Sequence, residues 1–218
     1  PFPAVVLSII VCTVLGIVVE KIAYKPLRRA TPLAVLITAI GVSYFLQNLA
    51  LLIWKSDPKV FTSVVTLPSL KLFDGELVIS SVSIVTVLTC IVIMVVLTLF
   101  TEKGKMGKAM RAVSEDKGAA QLMGINVNGI ITLTFAIGSA LAAFASMCYL
   151  MQIPSVTPTL GSMPGIKAFT AAVIGGIGSI PGAMIGGILL GVIEKLALSV
   201  PALAPYTTAI EFGLLIVI

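Results

Sequence analysis

Five stretches of this sequence run for 19 residues or longer without a charged side chain: Pro1–Val19, Ala30–Trp54, Leu77–Thr101, Gly118–Ile166 and Ala168–Ile193. About 20 apolar residues in a helix cross the hydrocarbon core of a bilayer, so these windows limit the fold more than any motif does. Only 11% of the 218 residues are charged, against 58% hydrophobic, whereas a soluble domain carries about 25% charged residues. No soluble surface can be covered at that density, which excludes a water-soluble enzyme and a disordered chain alike. The expected architecture is all-α, a polytopic helical membrane protein. Windows of 25 residues such as Ala30–Trp54 reach about 37 Å at helical rise, enough to cross with tilt. The only sheet expected is a short hairpin in the loop 55–76.

The fourth window, at 49 residues, is too long for one span. Gly124, Asn126 and Asn128 interrupt it on one side, and Pro154, Pro158, Gly161, Pro164 and Gly165 on the other. Its helix is expected over Val127–Met151, with the proline- and glycine-rich stretch as a loop or re-entrant segment. Ala168–Ile193 either crosses once or dips in and returns. A last apolar stretch, Ala204–Ile218, contains Glu211 and reads as a span cut short. The expectation is about five to six spans in a single transmembrane domain over 1–218, an internal piece of a longer chain.

Basic residues set the sidedness. Loop 20–29 holds Lys21, Lys25, Arg28 and Arg29 against Glu20, and loop 102–117 holds Lys103, Lys105, Lys108, Arg111 and Lys117. The intervening loop balances three lysines with Asp57, Asp74 and Glu76. Two spans separate the basic loops, so both can face the cytoplasm. Trp54 and Tyr24 stand where interfacial aromatics are expected. The net charge of +5 then reflects loops facing anionic lipid, and no nucleic acid is expected. The chain has no histidine, which removes imidazole bases and histidine metal sites. Cys12, Cys90 and Cys148 each lie in an apolar run and read as small hydrophobes. No metal or cofactor is expected.

Three stretches invite functional readings. In Thr101–Asn128, Asp116 can cap a short helix running to Met123, with Gly124 ending it. Met106, Met110 and Val113 recur at helical spacing opposite Lys105, Lys108 and Arg111. This loop is either bound to lipid headgroups or a docking surface for a cytoplasmic partner. In the glycine-rich stretch, Gly178, Gly182 and Gly186 are spaced four apart, as are Gly187 and Gly191, a spacing that lets helices approach closely in lipid. Gly175, Gly176, Gly178, Ser179, Pro181 and Gly182 also favour a broken helix. Such a break at membrane depth is tolerated where it is buried or lines a water-filled path, and the helix start beyond it suits a carboxylate. In Ala30–Trp54, Thr38, Gly41, Ser43, Gln47 and Asn48 either bond neighbouring helices or line a polar path.

The segments EKIAYKPLRRATPLAVLITAIGVSYFLQN, GKAMRAVSEDKGAAQLMGINVNGIITLTFAIGSALAA and GIKAFTAAVIGGIGSIPGAMIGGILLGVIE closely resemble the permease subunit of branched-chain amino-acid ABC importers, of the LivH type. The resemblance runs in order along nearly the whole chain, without the asparagine-rich N-terminal section and basic C-terminal tail of that family. It implies a multi-pass permease of the bacterial inner membrane that pairs with a second permease. Cytoplasmic ATPase subunits and a periplasmic substrate-binding protein would complete the transporter. It also implies that the loop 102–126 is the cytoplasmic coupling loop, with Arg111, Glu115, Asp116, Ala119, Ala120, Met123 and Gly124 toward the ATPase. Gly41, Ser43, Gln47, Asn48, Gly175, Gly176, Gly178, Ser179 and Gly182 are expected along the translocation path. The chain contains no GxxxxGK[ST] loop, so ATP hydrolysis is expected on another chain and the protein is not expected to be an enzyme. The competing readings are a sister permease for urea or short amides, and a transporter or channel without an ATPase. The latter would favour buried acids, for which only Glu194 and Glu211 come close.

Overall fold

The computed structural model describes residues 2–61, 70–72, 77–201 and 204–217. Helix α1 (Phe2–Val19) continues into a π-helical turn, Glu20–Tyr24, and a 3-10 turn, Pro26–Arg29. Helix α2 (Pro32–Trp54) starts with proline in its first turn, where the missing N–H has no helical partner to lose. Short strands β1 (Lys59–Val60), β2 (Leu70–Leu72) and β3 (Leu77–Ile79) precede α3 (Ser81–Lys103). Two short helices follow, α4 (Lys105–Glu115) and α5 (Lys117–Leu122), then α6 (Val127–Gln152) and β4 (Ser155–Val156). The chain ends in α7 (Ser162–Ile174), α8 (Ile180–Ser199) and α9 (Thr207–Val217).

Among the described residues, five helical stretches are long and apolar enough to cross a membrane: Pro3–Tyr24, Leu33–Trp54, Ser81–Lys103, Val127–Gln152 and Ile180–Ser199. In none of them is more than 17% of the most apolar window buried. That apolar surface has to be covered by lipid or by other subunits. The structure is a helical, multi-pass membrane protein, as the window lengths require.

The chain forms two compact units. The first comprises Pro1–Thr89 and Phe100–Thr159. Here α1 and α6 pack antiparallel: Gly16 lies against Ser139, Glu20 bonds Thr132, and the Tyr24 and Phe135 rings stand 5.1 Å apart. A Cβ on Gly16 would fall 1.8 Å from the Ser139 hydroxyl oxygen, so the close crossing depends on glycine. Strands β1 and β4 pair antiparallel, Lys59 opposite Val156 and Val60 opposite Ser155, which puts the ends of α2 and α6 together. Arg28 bonds Asn128 and so joins the end of α1 to the start of α6. Since α6 separates these two junctions by a membrane's thickness, the loop 20–29 and the start of α6 lie on one side and the loop after α2 on the other.

The second unit comprises Cys90–Leu99 and Leu160–Ile218. Within it α7 and α8 pack antiparallel, with Gly175 against Gly182 and Ala171 against Gly186, and α9 packs on both. The window Ala168–Ile193 is therefore two helices of a hairpin: the chain doubles back at Gly175–Ser179. With 13 residues, α7 reaches about 20 Å, short of a ~30 Å core.

Other expectations change. Residues 77–79 of the third window are strand, and the helix starts only at Ser81. The hairpin expected in 55–76 is β2 with β3, Leu70 opposite Ile79, so it extends past that loop. Asp74 and Glu76 lie outside the described residues. The β1–β4 pairing, between segments almost 100 residues apart, has no signal in either segment alone.

Candidate functional site

On the side of the first basic loop, α4 and α5 form an elbow. Asp116 sits at the bend in an extended conformation, and its carboxylate accepts from the Gly118 and Ala119 amides at 2.7 and 3.1 Å. Two donors that no helical carbonyl could reach are thereby satisfied. Gly124, at φ +81°, closes α5 in the left-handed conformation that glycine adopts without strain, while the Ile125 amide donates to the Ala120 carbonyl at 3.1 Å. Val113, Ala120 and Ile130 form a small buried cluster with Met110, Ile125 and Ile131 around it. That cluster fastens the elbow to the first turns of α6. At its other end, Gly107 lies so close to the end of α3 that a Cβ would sit 2.3 Å from Thr101 Cα.

The expected coupling residues separate by role. Arg111, Glu115, Ala119 and Met123 are at the surface, with the Arg111 Nη2 donating to the Thr101 carbonyl at 3.2 Å. Asp116 and Gly124 shape the bend. Ala120 is only 3% exposed, so it belongs to the packed interior of the elbow. The outward face instead carries Leu122 and Met123, 91% and 82% exposed. Leu122 was not among the expected residues; its place in QLMG just before the terminating glycine was the available signal.

The polar residues of α2 do not share one face. At about 3.6 residues per turn, Ser43 and Gln47 lie on one side and Thr38, Gly41 and Asn48 on the other. Gln47 Nε2 donates to Ser43 Oγ at 3.2 Å, Asn48 Nδ2 to the Tyr44 carbonyl at 2.7 Å, and Thr38 to the Ala34 carbonyl at 2.8 Å. These bonds satisfy polar groups within the helix itself.

In the α7–α8 hairpin, Gly176 and Gly178 have φ of +87° and +104°, so the turn is built on conformations that L side chains rarely adopt. Gly178 is in this turn and not on a helix face, which removes it from the expected Gly178–Gly182–Gly186 stripe. Gly175, Gly182 and Gly186 make the close packing: a Cβ on Gly175 would lie 2.0 Å from the Gly182 carbonyl oxygen, and one on Gly186 2.3 Å from the Ala171 carbonyl oxygen. Ser179 is exposed and caps α8, its Oγ accepting from the Gly182 amide at 3.1 Å.

Two charged groupings had escaped sequence reasoning. Glu20, wholly buried, pairs with Arg28 and accepts from Thr132 Oγ1 at 2.9 Å. Lys167 pairs with Glu194 at 2.7 Å and with the buried Glu211 at 3.1 Å. Lys167 lies in α7, Glu194 in α8 and Glu211 in α9, so the group joins the three helices of the second unit. In sequence Glu194 and Glu211 come close to buried acids and Glu20 and Lys167 only bound apolar runs, and none of their pairings is legible there. No group of three or more potential metal ligands occurs among the described residues. On the far side of the first unit, a cavity of about 310 Å³ is lined by Trp54, Lys55, Asp57 and Lys59 among others. Lys55 has a φ of +62°, a conformation that is uncommon for a non-glycine residue.

The family described as branched-chain amino acid transport system / permease component matches residues 1–218. The chain is 46% identical over 216 residues to the high-affinity branched-chain amino acid transport system permease protein BraD of Pseudomonas aeruginosa, covering 97% of this chain and 69% of that protein. It is 43% identical to the high-affinity branched-chain amino acid transport system permease protein LivH of Salmonella typhimurium and 42% identical to LivH of Escherichia coli K12, with the same coverage. No solved structure matches.

Proposed function

The chain belongs to the family of branched-chain amino acid transport system permease components, and on that premise we propose how its parts serve transport. It is a permease component of a high-affinity branched-chain amino acid ABC transport system, not itself an enzyme, and has its place in a multi-component assembly. The elbow α4–α5 is the contact for a cytoplasmic ATPase. The observation that carries this reading is the exposed apolar tip, Leu122 and Met123, at the end of a capped and glycine-terminated helix. An exposed apolar tip on an elbow whose Arg111, Glu115 and Lys117 are also exposed combines the apolar and polar groups of an interface. The positive-inside rule puts this side in the cytoplasm of a bacterial inner membrane.

A second permease would cover much of the lipid-length helix surface left open here. A periplasmic substrate-binding protein would approach the opposite side, where Trp54, Lys55, Asp57 and Lys59 line a cavity. Within the first unit, Asn48 beside Gly41, or Ser43 with Gln47 on the other face of α2, supplies polar groups to a path; within the second, the Gly175–Ser179 turn and Gly182 do so by themselves. The loop 102–126 is thus read as the coupling loop of the transmembrane domain.

Ala119→Glu tests the contact, because Ala119 is exposed and its replacement leaves the Val113–Ala120–Ile130 cluster intact. Leucine uptake by the assembled transporter should fall at least about tenfold, the effect of losing 1.4 kcal/mol or more at an interface, with the permease still inserted in the membrane. Undiminished uptake with the ATPase still bound would reject the elbow as the contact.

A further inference from the structure

The ion pair between Glu20 and Arg28 stands where the end of α1 meets the start of α6, and nothing in the proposed contact uses it. Glu20 is the most completely buried charged residue described, at 0% exposure. A carboxylate in such a place is strongly unfavourable without a charged partner and hydrogen bonds, and here it has both: Arg28 on one oxygen and the Thr132 hydroxyl on the other. Arg28 also donates to Asn128 Oδ1, leaving only its Nε buried without an acceptor. The Asn128 carbonyl lies 3.0 Å from the same hydroxyl and is the alternative acceptor for its single proton. Asn128 and Thr132 lie in the first two turns of α6, whose Ile130 packs against Val113 and Ala120 of the elbow. The carboxylate therefore links α1, through α6, to the element that presents Leu122 and Met123. It does so from a π-helical turn, Glu20–Tyr24, closed by the Lys25 amide on the Glu20 carbonyl at 2.8 Å, an insertion that recurs at functional sites.

We propose that Glu20 is a positioning residue for energy coupling: by holding Arg28 and Thr132 together it fixes the elbow's anchorage on α6 to the end of α1, so that a displacement of the elbow moves the two packed helices as one. This rests on the reading of the elbow as the ATPase contact. A chain of packed and hydrogen-bonded groups is a physical carrier for such coupling, and the close Gly16–Ser139 crossing farther along the same pair keeps α1 and α6 in register beyond it.

The experiment uses the complete transporter reconstituted in vesicles, measuring ATP hydrolysed and radiolabelled leucine imported in the same preparation. Glu20→Gln keeps side-chain length and removes the charge. ATP consumed per leucine should rise about tenfold, the scale of one charged hydrogen bond, while hydrolysis itself stays within about twofold of the parent on the same basis. Thr132→Val, nearly the same shape and far less disruptive, should raise the ratio about threefold through loss of one neutral bond. An unchanged ratio in both variants overturns the proposal. So does a proportional loss of both activities with the amount of assembled complex, because that is the signature of a role in stability alone. The two readings fail separately: if Ala119→Glu abolishes uptake while the ratio in Glu20→Gln and Thr132→Val stays at the parent value, only Glu20's role is lost. If Ala119→Glu leaves uptake intact, the elbow is not the contact, and this inference falls with it.

Discussion

Gly175 and Gly182 show what a single missing side chain does in this protein. Their backbones meet so closely that a Cβ on either would lie 2.0 Å from the other's carbonyl oxygen, and backbone atoms on both sides leave no flexible group to give way. Gly175→Ala or Gly182→Ala should lower stability by about 1–3 kcal/mol, the usual cost of overpacking, read as a lower melting temperature of the protein in detergent. Gly138 is the control. It lies within α6, and a Cβ added there would meet nothing within 4 Å, so Gly138→Ala should be neutral or stabilising by about 0.5–1 kcal/mol through reduced backbone entropy in the unfolded chain. Equal losses at all three positions would mean that close packing is not what the hairpin glycines provide.

At the scale of elements, the elbow is specified by its own residues. Asp116 stops one helix and caps the next, and Gly124 turns the chain toward α6. Asp116→Ala should cost about 1 kcal/mol of local stability, seen as faster amide hydrogen exchange over Lys117–Leu122 with α6 unaffected. Exchange that is unchanged, or raised equally along α6, would contradict the assignment of the cap. The hairpin differs in kind. Its turn residues Gly176 and Gly178 advertise a break, but a break is compatible with a kinked span as much as with a reversal. The reversal follows from the packing of α7 against α8, which lets Lys167 meet Glu194 and Glu211. Of the three charges Glu211 is buried, and leaving it without Lys167 would be costly.

Over the whole molecule, sidedness follows from charge and from two pairings. Arg28 with Asn128 joins the basic loop to the start of α6, and β1 with β4 joins the ends of α2 and α6. Together with the positive-inside rule, they lead us to predict Lys108 in the cytoplasm and Asp57 outside. In intact cells whose outer membrane is permeabilised, a membrane-impermeant thiol reagent should label Asp57→Cys and leave Lys108→Cys unmodified until the inner membrane is opened. The native cysteines are replaced first, since Cys90 is exposed on the helix surface. Labelling of both from outside would invert or break the topology.

The sequence by itself determined the environment, the helical class and the strongest local boundaries. The helix expected over Val127–Met151 is found over Val127–Gln152, and the cap at Asp116 and stop at Gly124 stand where they were expected. These features depend on the transfer of a continuous apolar run into lipid and on hydrogen bonds between residues a few positions apart, so each is complete within its own segment. Tertiary structure decided the rest. Ala120 reads as one more small residue of a surface helix until Val113 and Ile130 enclose it. Glu20 reads as the counter-charge of a basic loop until Thr132, 112 positions away, and Arg28 bury it. The two-residue β1–β4 ladder exists only because α2 and α6 end on the same side. In each case the partner is distant in sequence, and its choice depends on which helix faces pack together, an outcome no single window contains.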